Sequence, residues 1–334
     1  MSKVVILDGG YLTHSAVTQW GSTQKKILAG ILPKTFFNPP VGYTFFQKTL
    51  GLLKRVGVDK DDTIILALDK TKSWRKKFYP LYKIQRKGLR DDQEHIDWAF
   101  HYAQIDKVVE QIKESTDWHV MWFPWCWNTA DLFFTKEGQE FLKEEEIEDW
   151  SEYYGLEADD IIAYATEYFP DKEVIIVATD ADLQMLCAKP NVKFFSPLVK
   201  CKAGKGAYKI VDNGYKILAD KIEKGDKSDN IIPGETDDNS PEALKKRALI
   251  IDLLNLPEFV KDKLKEEFDK LEPKQLIPEN LPFQNSLAKK FFQIYEKDKV
   301  VTFEDSVKTA ERKKKKLLKQ AKEKREAKKK LKIR

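Results

Sequence analysis

KVVILD (Lys3–Asp8) decides the fold, together with two stretches built the same way, DTIILALD (Asp62–Asp69) and EVIIVATD (Glu173–Asp180). Each is a short apolar run rich in β-branched residues, the pattern of a buried strand in a parallel sheet. WHVMWF from Trp118 is a fourth candidate, and helical patterns lie between the strands at FFQKTLGLLKRVG from Phe45 and IDKVVEQIKES from Ile105, the latter ending before Thr116. Strand–helix alternation predicts an α/β fold, a doubly wound, mostly parallel sheet flanked by helices, over residues 1–205. Beyond it the pattern changes to helices separated by proline-bearing loops, IIPGETDDNSPE and LEPKQLIPENLP. The chain therefore divides into a core at 1–205, a smaller helical subdomain at 206–307 and a basic tail at 308–334.

All three strands run into an aspartate: Asp8, Asp69 and Asp180. The ligand crevice of an open parallel sheet lies at the carboxyl ends of its strands, so the three acids point into one place. Asp182 follows Asp180 by two residues and shares its side while the backbone stays extended. The stretch GLEADDIIAYA from Gly155 crowds Glu157, Asp159 and Asp160 against the start of an apolar helix. Like charges this close repel by roughly 4 kcal/mol per pair at an effective dielectric near 20. One acid would serve as a helix cap, and three exceed that need. Glu157 and Asp160 share a helical face, which Asp159 joins only if the helix starts there. In KGDKSDNIIP, Asp226 and Asp229 stand three apart, although that segment taken alone also reads as a turn.

These nine carboxylates (Asp8, Asp69, Glu157, Asp159, Asp160, Asp180, Asp182, Asp226 and Asp229) would face one crevice, and without cations such a cluster raises its own pKa values. All-oxygen donors select hard ions: two Mg²⁺ are expected, with Mn²⁺ as a substitute. Two such ions about 4 Å apart supply an activated water and a clamp on the leaving oxygen, the chemistry of phosphodiester hydrolysis. The opposite charge follows Asp69 in KTKSWRKKFYPLYKIQRKGLR, where Trp74, Tyr79 and Tyr82 are interleaved with lysines and arginines. Basic residues alternating with aromatics suit a nucleic-acid strand with stacked bases, and no acid follows until Asp91 to make the segment an ordinary solvated helix face.

Net charge sharpens the picture once divided. Residues 308–334 hold 15 Lys/Arg and 3 Glu, a balance of +12, so residues 1–307 carry −7 within a total of +5. The tail reads either as a solvated extension or as a non-specific phosphate-binding arm. Three cysteines (Cys126, Cys187, Cys201) without a CxxC pair speak against a disulfide framework and for a reducing cytosol, and the four scattered histidines make no zinc site. The apolar run VVIL is too short for a signal peptide, and no later run could span a bilayer. Residues 125–154 form an aromatic and acidic insertion, and the four tryptophans between Trp118 and Trp127 suit either a core or a partner-binding patch.

Five blocks resemble the 5′ nuclease superfamily of flap endonucleases and 5′→3′ exonucleases: ILDGG, ALDKTKSWRKKFYPLYKIQRKG, GLEADDIIA, VATDADLQML and KGDKSDN. Their order and approximate spacing match over most of residues 1–235. Within the superfamily, KPNVKFFSPLVK and KILADKIEKGDKSDN look like the phage ribonuclease H branch of the T4 type. The resemblance implies a PIN-like core and a Mg²⁺-dependent 5′ nuclease with exonuclease, RNase H and flap endonuclease activity, which removes RNA primers and flaps in lagging-strand DNA replication. It implies that Asp8, Asp69, Glu157, Asp159 and Asp180 surround one ion, that Asp182, Asp226 and Asp229 lie toward a second, and that Asp160 matches an acid of bacterial and phage members. Lys83 and Arg86 fall on the family's arch, here at about residues 70–100, as the groups that orient the scissile phosphate, with Asp8, Asp69 and Asp180 completing the catalytic set. Trp74, Arg75, Lys76 and Tyr82 are the arch's expected contacts to nucleic acid. Lys227, Lys245, Lys246 and Arg247 are expected contacts to duplex. IIPGETDDNSPEALKKRA departs from the family's glycine-rich helix-hairpin-helix, retaining only Gly234, which speaks against a K⁺ site. The expected partners are DNA and RNA–DNA duplex bearing 5′ ends or flaps, with a sliding clamp or single-strand-binding protein as a protein partner. A soluble monomer is expected, in the bacterial host cytoplasm if phage-encoded. The rival readings are a PIN-like ribonuclease, which would lack the arch and the helical subdomain, and a catalytically silent nucleic-acid-binding scaffold, which would have no reason to keep nine mutually repelling acids.

Overall fold

Alternate residues of the first strand bury on opposite faces of the sheet. Val4 and Ile6 enter one core, and Val5 and Leu7 enter the other, as the two-residue repeat of a strand requires. The computed structural model describes residues 2–70, 72–86, 96–123, 127–128, 153–201, 204–232 and 240–295. In chain order the elements are β1 (Lys3–Asp8), α1 (Gly9–Leu28), α2 (Val41–Val56), β2 (Thr63–Ala67), the one-turn α3 (Arg75–Phe78), α4 (Trp98–Ser115) and β3 (His119–Met121). A short antiparallel pair follows, β4 (Trp127–Asn128) with β5 (Tyr153–Tyr154). Then come α5 (Ala158–Tyr168), β6 (Glu173–Val177), β7 (Val192–Cys201), β8 (Gly204–Lys209), α6 (Gly214–Lys224), α7 (Pro241–Ile251), α8 (Glu258–Phe268) and α9 (Ser286–Tyr295).

The main sheet has six strands in the order β3-β2-β1-β6-β7-β8. The first five are parallel, and β8 returns antiparallel against β7. The chain builds outward from β1 to β2 and β3, then crosses to the other side of β1 for β6 and β7. That reversal places a topological switch point between β1 and β6, where α/β sheets open a crevice at their carboxyl ends.

The four strands expected from sequence are present. Two others of the main sheet, β7 and β8, escaped the reading, as did the short pair β4 and β5. Pro197 and two lysines interrupt the apolar pattern of β7, and the β7–β8 register shifts between Ser196 and Lys200. β8 reads GKGAYK, a glycine- and lysine-rich composition typical of a protected edge rather than a buried strand.

Helices α1, α2, α4 and α9 cover one face of the sheet, while α5, α6, α7, α8 and the Trp74–Tyr82 segment cover the other. Helix α2 stops at Gly57, whose φ of 69° gives the left-handed C-cap that a side chain resists. Residues after 205 thus supply an edge strand and helices on both faces. Of the four tryptophans between Trp118 and Trp127, Trp118 is fully buried and stacks on Phe292 of α9, and Trp122 lies under the ammonium groups of Lys70 and Lys113. Trp125, most of the insertion, Gly234 and the basic tail lie outside the described residues.

Candidate active site

Adjacent strands β2, β1 and β6 deliver their aspartates to one end of the sheet. Asp8 closes β1 and caps α1, its Oδ1 accepting from the Tyr11 amide at 3.0 Å. Asp69, two residues past β2, accepts from the Ala158 amide at 2.6 Å and so ties that strand to the first turn of α5. Asp180 follows β6 and accepts from the Asp182 amide at 2.9 Å. A methyl placed on Gly10 would sit 3.1 Å from Asp8 Oδ1 and 3.2 Å from Asp69 Oδ2, so the two carboxylates flank a space that only a bare backbone leaves open. Burial, followed by the charges of Asp69 and Asp180, pushes the Asp8 carboxyl up to about 7.

The crowded acids of GLEADD divide by role. Helix α5 begins at Ala158, which makes Glu157 its N-cap and leaves Asp160 three residues on. Asp160 is fully buried: Oδ1 accepts from Arg75 Nη2 at 2.6 Å, and Oδ2 accepts from Trp74 Nε1 at 3.0 Å and from the Glu157 amide at 2.9 Å. Glu157 accepts from Arg75 Nη1 at 2.8 Å and from the Tyr82 hydroxyl at 2.9 Å on Oε2, and from Lys83 Nζ at 2.7 Å on Oε1. Burial works against its charge, yet Lys83 and Arg75 outweigh it and hold the carboxyl down at about 2. Asp159 turns the other way. Burial, with the charges of Asp180 and Asp69 overcoming the opposing pull of Lys83, drives it well above the carboxylate range.

A second group stands beside the first. Asp182, Asp226 and Asp229 each offer an oxygen, and all three atoms lie within 4.8 Å of one another. They line a small solvent-open recess with Arg75, Tyr82, Asp159, Ile231, Ile250, Ile251 and Leu253. Arg86 Nη2 reaches Asp229 Oδ1 at 2.9 Å, and Lys83 Nζ lies 3.7 Å from Asp229 Oδ2. Lys221 of α6 bridges Asp182 and Asp226. Burial, the hydrogen bond to Asp226 and the charge of Asp180 raise Asp182 to about 8, whereas Asp226 is held low against burial by Asp182, Lys221 and Ser228.

The backbone joins the basic segment to this second group. The Lys83 amide donates to the Asp229 carbonyl at 2.9 Å, Gln85 Nε2 to the Ser228 carbonyl at 2.7 Å, and Asn230 Nδ2 to the Leu81 carbonyl at 3.0 Å. Lys83 and Asn230 are the described non-glycine residues with left-handed backbones, at φ of 54° and 61°. Such strain in two facing segments is characteristic of functional sites.

The structure corrects several expectations. Trp74, Arg75 and Tyr82 are each only 2% exposed and face the acids of α5, so they are not available to stack on bases or hold phosphates. Arg247, at 2% exposure, is equally withdrawn from duplex. Asp160, with both oxygens engaged and no exposure, has nothing left for an ion. Lys76 and Lys246 are half-buried, and Lys227 and Lys245 are exposed, Lys227 standing between Asp226 and Asp229 in the chain. Sequence reasoning missed Lys221 and the structural duty of Arg75. The signal for both was a demand for charge: carboxylates that leave water need cations close by, and a basic side chain near in sequence or facing in the fold supplies them.

The chain resembles Enterobacteria phage T4 ribonuclease H in sequence. The two are 30% identical over 192 residues, 55% of this chain and 47% of that protein, so the chain spans about half the length of the relative it matches. The likeness agrees with the branch that KPNVKFFSPLVK and KILADKIEKGDKSDN resemble. No family model matches the chain. Two solved structures are also similar, each at 16% identity. The T5 D15 protein co-crystallised with metal ions gives a TM-score of 0.48, covering 80% of this chain and 99% of that one. The T5 5′-exonuclease with bound zinc gives 0.42, covering 92% and 97%.

The donor chemistry in this chain fits a hard divalent ion. Every candidate ligand is a carboxylate, the space beside Gly10 is open between two of them, and three more oxygens cluster at Asp182, Asp226 and Asp229. Asp8, Asp69, Asp159 and Asp180 would hold one ion, and Asp182, Asp226 and Asp229 a second; Glu157, expected with the first set, has both oxygens engaged by Arg75, Tyr82 and Lys83.

Proposed function

We propose that this chain is a Mg²⁺-dependent, structure-selective 5′ nuclease of the 5′ nuclease superfamily, acting on DNA and RNA–DNA duplexes that bear 5′ ends or flaps and removing RNA primers in lagging-strand replication. The observation that carries the reading is the meeting of Asp8, Asp69 and Asp180 at the carboxyl ends of three neighbouring strands, beside Asp159. When bound, divalent ions supply an activated water and charge neutralisation at a phosphodiester. The protein's part is to place the groups. Asp69 fixes the start of α5 and so the position of Asp159. Lys83 holds its ammonium between Glu157 and Asp229, so that a phosphate oxygen entering beside Asp229 would meet its charge there. Arg86, nearly half exposed, gives the same place a second positive contact.

The test is incubation with a 5′-labelled RNA primer annealed to DNA, in Mg²⁺ or EDTA. Short labelled products are expected in Mg²⁺ alone, and equal product in EDTA defeats the metal mechanism. Asp180→Asn is expected to lower cleavage by about a hundredfold or more while leaving duplex binding intact. Normal cleavage by that variant defeats the site assignment.

A further inference from the structure

Lys221 has no part in the reading above, yet its ammonium sits where a cation is called for. It belongs to the last turn of α6, and Gly225, with φ of 74°, turns the chain back so that Asp226 faces that turn. Nζ contacts Asp182 Oδ1 and Asp226 Oδ2, two of the three carboxylates whose oxygens cluster within 4.8 Å. A lysine ammonium is a donor without acceptor capacity, and it claims the same lone pairs that a divalent ion would. The side chain is 18% exposed, so a path to solvent is open to it. Lys224, three residues on, pairs instead with Asp220 at a solvent-exposed site on the same helix.

We propose that Lys221 is the internal counter-cation of the second ion position. It holds Asp182 and Asp226 together when no divalent ion is bound, and it swings out as the ion enters. The inference rests on the metal reading of this site. Its consequence is that filling the second position requires breaking two charge-assisted hydrogen bonds, which weakens affinity there and leaves the first position unaffected.

Isothermal titration of Mn²⁺ into wild-type protein, Lys221→Met and Lys224→Met tests the point. Lys221→Met is expected to bind the weaker ion at least about tenfold more tightly, with the tighter ion unchanged and Lys224→Met matching wild type. Affinity in Lys221→Met equal to or below wild type overturns the proposal, because the lysine would then be organising the ligands rather than competing with the ion. Absence of binding in wild type and both variants defeats the metal reading itself. A second measurement uses wild-type protein alone and does not depend on a variant folding. Acylation of Lys221 by a small amine-reactive ester, read by mass spectrometry, is expected to rise when Mg²⁺ is added. Unchanged or reduced acylation overturns the displacement.

Discussion

Arg75 shows how far a residue's surroundings can depart from what its neighbours in sequence suggest. It lies in a run of lysines and aromatics with the composition of a strand-binding segment, yet its guanidinium spans Glu157 and Asp160 while Nε donates to the Ile250 carbonyl at 2.8 Å. The planar fork of arginine suits that bidentate task, which a lysine could not reproduce. Arg75→Ala leaves two buried carboxylates short of a partner, so it is expected to destabilise the protein by about 3–5 kcal/mol, read as a lower urea midpoint. An unchanged midpoint, with loss confined to nucleic-acid affinity, would return Arg75 to the binding surface. The acids themselves were legible in the sequence because each strand-end aspartate is marked by the apolar run before it. Which of Glu157, Asp159 and Asp160 faces the crevice was not, since that depends on the residue at which α5 begins and on what packs against its first turn.

At the scale of elements, the connection that matters is between the 79–86 segment and the Asp226–Ile231 loop. Three hydrogen bonds across it place Lys83 and Arg86 against Asp229. Asn230 supports the junction twice, through its amide contact to Leu81 and through its left-handed backbone, a conformation asparagine tolerates better than most residues. Asn230→Ala is expected to cost about 1–2 kcal/mol, combining a lost hydrogen bond with backbone strain. The loss is expected as faster amide hydrogen exchange at Lys83, whose amide donates across the junction. Asn230→Gly, which keeps the backbone preference and loses only the side chain, should exchange at an intermediate rate. Equal protection in all three proteins would mean that the two segments hold their places independently. The sequence marked both segments by their charge, but their hydrogen-bonded contact joins residues more than 140 positions apart.

For the whole molecule, the sheet and its two helical layers set how stability responds to acid. His119 begins the edge strand β3, pairs in register with Ile65, and is held neutral first by burial and then by the nearby charge of Lys274, its pKa lowered to about 4. A histidine whose folded pKa lies below its unfolded value of about 6.5 takes up protons more readily when unfolded, so its contribution is full above that value and is lost as pH falls toward 4. The thermal midpoint is therefore expected to decline over that window, and His119→Phe to decline less steeply; parallel profiles for the two proteins would remove His119 from the account. Among the described residues no helix is long and apolar enough to cross a membrane. By itself the sequence determined that apolar strands end in acids, that helices alternate with them, and that a basic segment stands near an acidic crevice, because periodicity and composition along the chain carry that information. Tertiary structure alone decided that β7 and β8 complete the sheet, that Trp74, Arg75 and Tyr82 face inward, and that Lys83 and Lys221 sit among the carboxylates. Those outcomes depend on which charges are brought together when water is excluded, a long-range electrostatic balance that no local pattern records.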